Sequence, residues 1–153
     1  MRILVTGGAG YVGSVAVRHL LSLGHHVRVL DCLLHGGSAL LGLFPEDGFE
    51  FQQGDVRSQE TIRRALDGMD AVIHLAAIVG DPACSREPVL AQDTNHKASL
   101  QLFRESMRTG IKRFVFASTC SNYGRMPDPS QHTTEESELR PVSLYAQTKV
   151  AVE

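Results

Sequence analysis

Apolar residues along the chain follow two alternating patterns. Short runs read as strands: residues 2–6 around Ile3-Leu4-Val5, 26–31 around Val27 and Val29, 49–53 around Phe49 and Phe51, 70–75, and 114–117. The run from Ala71 to Leu75 is nearly unbroken, as suits a parallel strand covered on both faces. Between the runs, apolar residues recur at helical spacing. Val12, Val15, Ala16, His19, Leu20 and Leu23 predict a helix over 11–23, stopped by Gly24. Ser58 reads as the N-cap of a helix whose Ile62, Ala65 and Leu66 share a face. A short helix is expected over 36–44. A long one is expected from about 89 or 93 to 108, with Leu100, Phe103 and Met107 on one face and Gly110 at its end. A polar loop carrying Pro127, Pro129 and Pro141 follows the fifth strand. A last helix begins near Ser143 and is still running at Glu153.

Strands alternating with helices predict an α/β fold with a doubly wound parallel sheet. Right-handed crossovers put the strand order near 3-2-1-4-5, with a crevice at the carboxyl ends of the first and fourth strands. Residues that do chemistry are expected to face that crevice.

The first strand runs directly into Thr6-Gly7-Gly8-Ala9-Gly10-Tyr11-Val12-Gly13. Glycines at this strand-to-helix turn have separable uses. Gly7 permits a tight turn, Gly10 lets the backbone approach a pyrophosphate, and Gly13 lets the helix lie close to the strand. The free N–H groups and positive end of that helix would face two phosphates. Three glycines alone also fit an ordinary glycine-rich turn. Asp31, however, ends the second strand at the distance a dinucleotide site calls for. A carboxylate there accepts both ribose hydroxyls and repels a 2′-phosphate. Cys32-Leu33-Leu34-His35 offers no arginine to welcome one, so NAD is favoured over NADP.

Tyr145 and Lys149 lie four apart on the last helix and share a face. A nearby cation favours a phenolate and lowers the tyrosine pKa, which makes the pair a candidate proton exchanger with a substrate hydroxyl. Taken alone the spacing also fits an exposed helix face. Thr119, just past the fifth strand, could bond the same substrate oxygen, or be an ordinary loop hydroxyl.

Composition narrows the field. The chain of 153 residues suits one domain, 1–153, and its 42% apolar content with a net charge of −2 points neither to disorder nor to a nucleic-acid partner. Its longest apolar run is too short to span a bilayer, and no signal peptide is evident. Three scattered cysteines, Cys32, Cys84 and Cys120, fit reduced thiols in a cytoplasmic protein, and no spacing suggests a metal site.

In order along the chain stand Gly7-x-x-Gly10-x-x-Gly13, Asp31, Asp55-Val56, His74-Leu75-Ala76-Ala77, Asn95, Ser118-Thr119-x-x-x-Tyr123-Gly124 and Tyr145-x-x-x-Lys149. This set resembles the extended short-chain dehydrogenase/reductases, specifically the NAD-dependent nucleotide-sugar epimerase/dehydratase group, over essentially the whole chain. The resemblance implies a Rossmann fold and a set of roles. Tyr11 and Val12 would present backbone N–H groups to the pyrophosphate, and Asp31 would hold the adenosine ribose. Asp55 and Val56 would flank the adenine. Leu75, Ala76 and Ala77 would line the floor on the nicotinamide side, with Asn95 holding the loop and helix beside them. Lys149 would bond the nicotinamide ribose and tune Tyr145. Thr119 and Tyr145 would grip a sugar hydroxyl of a nucleotide-sugar substrate while its carbon is transiently oxidised.

Two departures qualify this. Dehydratases of the group carry an acid directly after the catalytic hydroxyl residue, whereas Cys120-Ser121-Asn122 follows Thr119 here. That favours an epimerase of the UDP-glucose 4-epimerase kind, or a simple oxidoreductase. Full members of the group are also about twice as long, so this chain is expected to be an amino-terminal part lacking a substrate domain. A homodimer through helices near 93–108 and 143–153 is implied as well. Three readings stay open: the epimerase, another oxidoreductase or dehydratase on this scaffold, and a non-catalytic NAD-binding module.

Overall fold

The structure is a computed structural model and describes residues 1–125 and 132–153. Pro127 and Pro129 of the expected polar loop lie outside the described residues. The strands are β1 (Arg2–Thr6), β2 (His26–Asp31), β3 (Phe49–Gln53), β4 (Ala71–His74) and β5 (Arg113–Phe116). They form one parallel sheet in the order β3-β2-β1-β4-β5, as the alternation predicts. The helices are α1 (Tyr11–Ser22), α2 (Gln59–Leu66), α3 (Asp81–Arg86), α4 (Pro88–Ala91), α5 (Ser99–Arg108) and α6 (Leu144–Val150), and a π-helical stretch, Gln92–Ala98, joins α4 to α5. The short helix expected over 36–44 is a 3-10 helix, Ser38–Leu43.

Side chains alternate across each strand, so the sheet carries a core on both faces. Leu4, Leu30 and Val72 meet Ile62 and Leu66 of α2 and Leu102 of α5. Ile3, Val5, Val27 and Val29 meet Val17 of α1 and Leu40. Ser58 caps α2 by accepting the Thr61 N–H.

Three sequence expectations are corrected. In α1 the buried residues are Gly13, Ser14 and Val17, whereas Val12 and Val15 are 64% and 61% exposed. Gly13 is pressed against the Gly7–Gly8 backbone, and that contact fixes the helix rotation. In α5 the buried side carries Ser99, Leu102, Glu105 and Ser106, while Phe103 and Met107 are exposed. Polar anchors decide this rotation: Glu105 accepts from Gln59 and Arg63 of α2, and Ser99 meets His74 of β4. Apolar periodicity misleads where buried polar groups are paired. Finally, regular helix ends at Val150, and the Glu153 side chain turns back to accept from Ser118 and Asn122.

Candidate functional site

The carboxyl edge of β1 opens into the glycine turn. Gly7 has φ +74°, and a Cβ there would lie 2.7 Å from Ala76 N. The turn is therefore seated on the peptide between Leu75 and Ala76, at the end of β4. Gly10 is the N-cap of α1 and supplies no side-chain cap. The first helical bond runs from Ser14 N to Gly10 O at 2.9 Å. The N–H groups of Tyr11, Val12 and Gly13 thus have no intrahelical acceptor and point out of the helix end. The Tyr11 side chain is 91% exposed, so its backbone is what this end offers. Asp31 closes the other side of the turn. One carboxylate oxygen accepts the Ala9 N–H at 2.9 Å, the other the Leu33 N–H at 2.8 Å. Leu33 takes the left-handed conformation, φ 61°, to make that bond.

Asp55 lies farther along this edge. It is bound by the Arg57 side chain, which holds its carboxyl below the usual range. With Asp93 and Lys97 the pair lines an open recess of about 500 Å³. The Val56 side chain is packed with Leu30 and Ile62 in the core, so only its backbone is left for a ligand.

The second half of the edge belongs to β4, β5 and α6. Asn95, in the π-helical stretch, is fully buried. Its Oδ1 accepts the Ile78 N–H at 2.8 Å, and its Nδ2 donates to Ile78 O at 2.9 Å and Thr148 Oγ1 at 3.4 Å. It holds the stretch after β4, with Leu75, Ala76 and Ala77, against α6. Lys149 is 3% exposed. Its Nζ donates to Ala117 O at 2.9 Å, lies 4.6 Å from the Phe116 ring centre and 5.8 Å from that of Tyr145. Burial lowers its pKa to about 8.

Tyr145 behaves differently from the sequence expectation. Burial raises its pKa, and the neighbouring Cys84, Asp81 and Cys120 side chains add to the rise. The physical reason is that Lys149 is committed to Ala117 O and Phe116, while the phenol is half-buried. Thr119 caps a 3-10 helix, Cys120–Tyr123, by accepting the Ser121 N–H at 3.2 Å. It lines a second recess of about 380 Å³ with Ser118, Tyr123 and Glu135.

A model of the NAD dependent epimerase/dehydratase family matches residues 3–153. The chain belongs to this family. Among its relatives is a UDP-glucose 4-epimerase of Streptomyces lividans, 36% identical over 99% of this chain and 45% of that protein. The UDP-glucose 4-epimerase of Thermus thermophilus in complex with NAD superposes with a TM-score of 0.88 at 36% identity, covering 99% of this chain and 48% of that one. A dTDP-glucose 4,6-dehydratase from Streptomyces venezuelae, DesIV, solved with NAD and TYD bound, superposes with a TM-score of 0.92 at 34% identity, over 99% and 49%. The chain spans about half the length of the curated relatives it matches.

Several residues of this edge have no role in the sequence reading, His74 among them although it stands in a family motif. His74, Ser99 and Thr148 form buried polar contacts around Asn95, and Glu153 ties the chain end to Ser118 and Asn122. In the sequence only His74 gives a signal, as a polar residue within an apolar strand. Among the described residues, no helix is long and apolar enough to cross a membrane.

Proposed function

We propose that this chain forms the NAD-holding part of a nucleotide-sugar epimerase. The observation that carries the reading is a buried lysine beside a tyrosine, at the same sheet edge as a glycine turn whose helix end is uncapped. The residues present fit NAD. The bare helix end suits two phosphates. Asp31, with each oxygen fixed by one N–H, keeps outward lone pairs for a ribose diol and repels a 2′-phosphate. When bound, the nicotinamide would supply the acceptor that takes a hydride from the sugar carbon and returns it.

Tyr145 would take the proton of the sugar hydroxyl, and Thr119 would orient that oxygen. Burial opposes a phenolate on Tyr145; the ammonium of Lys149 on the same helix face would offset it only once released from Ala117 O towards the phenol. The pKa of about 8 keeps Lys149 mainly charged at neutral pH. No carboxylate follows Thr119, which favours epimerisation over dehydration at the neighbouring carbon. The exposed Phe103 and Met107 of α5 suit the homodimer contact that the resemblance implies.

The test is binding followed by turnover. The 153-residue protein is titrated with NAD and with NADP, then supplied with UDP-sugars. NAD should bind in preference to NADP, and Asp31→Ala should erase the preference. An unchanged preference in that variant would remove Asp31 from the site. In any preparation that turns over, Tyr145→Phe should lower the rate at least about a hundredfold with little change in NAD affinity. Full activity in that variant would end the catalytic reading. NAD binding without turnover favours a cofactor module.

A further inference from the structure

His74 is 1% exposed and sits between two hydroxyls. Its Nδ1 is 2.6 Å from Thr6 Oγ1, and its Nε2 is 2.8 Å from Ser99 Oγ. Proton bookkeeping fixes one ring nitrogen, and neutrality of the ring fixes the other. A hydroxyl has one proton to give. Ser99 Oγ lies 2.7 Å from Asn95 O, a carbonyl that can only accept, so the Ser99 proton goes there. Towards His74, Ser99 must then accept, and Nε2 carries the hydrogen. A neutral ring leaves Nδ1 bare, so the Thr6 hydroxyl donates to it. Thr6 Oγ1 in turn accepts the Ala76 N–H at 3.3 Å.

The result is one directed chain from Ala76 N–H through Thr6, His74 and Ser99 to the Asn95 carbonyl. Neutrality follows from the surroundings: the ring is enclosed between Phe114 and Phe116, its nitrogens meet only hydroxyls and no carboxylate among the described residues, and the charge of Lys149 lies nearby. Burial, followed by the charge of Lys149, pushes its pKa down to about 3.

The ends of this chain matter. Thr6 immediately precedes Gly7, whose turn is seated on Ala76. Asn95 lies in the π-helical stretch and grips Ile78 and Thr148, and Thr148 Oγ1 donates to Tyr145 O at 2.7 Å. A serine hydroxyl on the carbonyl four residues back is a known way to distort a helix, and π stretches gather at functional positions.

We infer that His74, held as the neutral Nε2–H tautomer, is a positioning residue that sets the register between the glycine turn and the helix carrying Tyr145. The relay itself follows from the contacts and the neutrality of the buried ring. Its purpose, aligning the nucleotide end with the proton-transfer end, rests on the function proposed above.

The experiment uses the 153-residue chain labelled with 15N. Imidazole nitrogens are followed from pH 5 to 8, together with amide exchange at Ala76 and Ile78. Expected are a protonated Nε2, a bare Nδ1 and no titration in that range. A protonated Nδ1, or titration near the ordinary histidine value, overturns the inference. Thr6→Val should shift the Nδ1 resonance and raise exchange at Ala76 about tenfold, and Thr6→Ser should restore both. Ser99→Ala, a milder change than replacing His74, should raise exchange at Ile78. Unchanged exchange at Ile78 in Ser99→Ala, or no restoration by Thr6→Ser, overturns it as well. NAD affinity is read in parallel: a chain that shows the relay but binds no NAD refutes the proposed function and leaves the positioning network standing.

Discussion

The glycine turn after β1 and the β5–α6 corner share one edge of the sheet, yet they are made of different material. The turn is backbone: its shape follows from where a Cβ cannot fit, at Gly7 against Ala76 and at Gly13 against the Gly7–Gly8 peptide. The corner is side chain: Lys149 on Ala117 O, Asn95 on Ile78 and Thr148, Glu153 on Asn122. Steric exclusion acts through fixed backbone, from a neighbour in sequence at Gly13 and from the end of β4 at Gly7. The corner's bonds join residues far apart in the chain, and its buried polar groups, Asn122 Oδ1 excepted, are satisfied by partners from other parts of the chain. The turn should therefore fail by clash and the corner by lost partners.

The sharpest way to break the turn is Gly13→Ala. The added carbon would overlap Gly7 O and come 2.7 Å from Gly8 Cα, both backbone and unable to move aside. Thermal melting should show a loss of about 2–3 kcal/mol. Gly10→Ala is the control, since among the described residues an added carbon would meet just Gly7 O, at 3.3 Å. The fold should stay within about 1 kcal/mol of the parent while affinity for NAD falls at least about tenfold. Equal stability of the two variants would mean that the turn is not set by steric exclusion.

Next in size is acid sensitivity at the link between the regions. Folded His74 has a pKa of about 3 against 6.5 for the free side chain. It is neutral when folded and takes a proton when unfolded. Its contribution is therefore present above pH 6.5 and lost as pH falls towards 3, at about 1.4 kcal/mol per pH unit. The groups facing it are the Thr6 and Ser99 hydroxyls, the rings of Phe114 and Phe116, and the charge of Lys149. Urea unfolding at steps between pH 6.5 and 4.5 should show that slope, and His74→Asn should flatten it. A wild-type curve flat over this interval would contradict a neutral buried ring.

These two cases show what a sequence can disclose. Strand order follows from alternation and crossover handedness, so the sheet was legible throughout. The turn was legible because its signature is local, three glycines and an acid at fixed spacing, although the Ala76 backbone that Gly7 rests on is distant in the chain. Helix rotation was not, because Val12 and Val15 satisfy a helical period while Gly13 decides which side meets the sheet. Nor was the pKa direction of Tyr145. The spacing places a cation one turn away, but says nothing of how deeply phenol and ammonium are buried or that Ala117 O engages the latter. The relay through His74 was hidden for the same reason: Thr6 and Ser99 approach it from distant parts of the chain.

A smaller effect separates stability from function at the corner. Burial lowers the pKa of Lys149 from 10.5 to about 8, so carrying the charge there costs stability. Lys149→Met keeps the length and removes the charge. At pH 7 the variant should be as stable as the parent, or more so by about 1 kcal/mol, while turnover is lost. The sign is checked by raising pH. The folded lysine releases its proton before the unfolded one, so between pH 8 and 10.5 the parent should gain on the variant. A variant strongly destabilised at pH 7 would make Lys149 a structural support rather than a group kept for its role.

The smallest change is expected at the rim of the nucleotide end. Arg57 and Asp55 form a close pair, but their side chains are 44% and 36% exposed. Water and salt screen such a pair, and holding the long arginine side chain in place costs entropy. Arg57→Ala should therefore alter stability by less than about 0.5 kcal/mol, and added salt should shrink even that. What should move is Asp55 itself. Its carboxyl is held low chiefly by the hydrogen bond from Arg57, so its pKa should climb back towards 3.8 in the variant, as carboxyl NMR titration would show. A large loss of stability would mean that this rim, unlike the turn beside it, depends on charge.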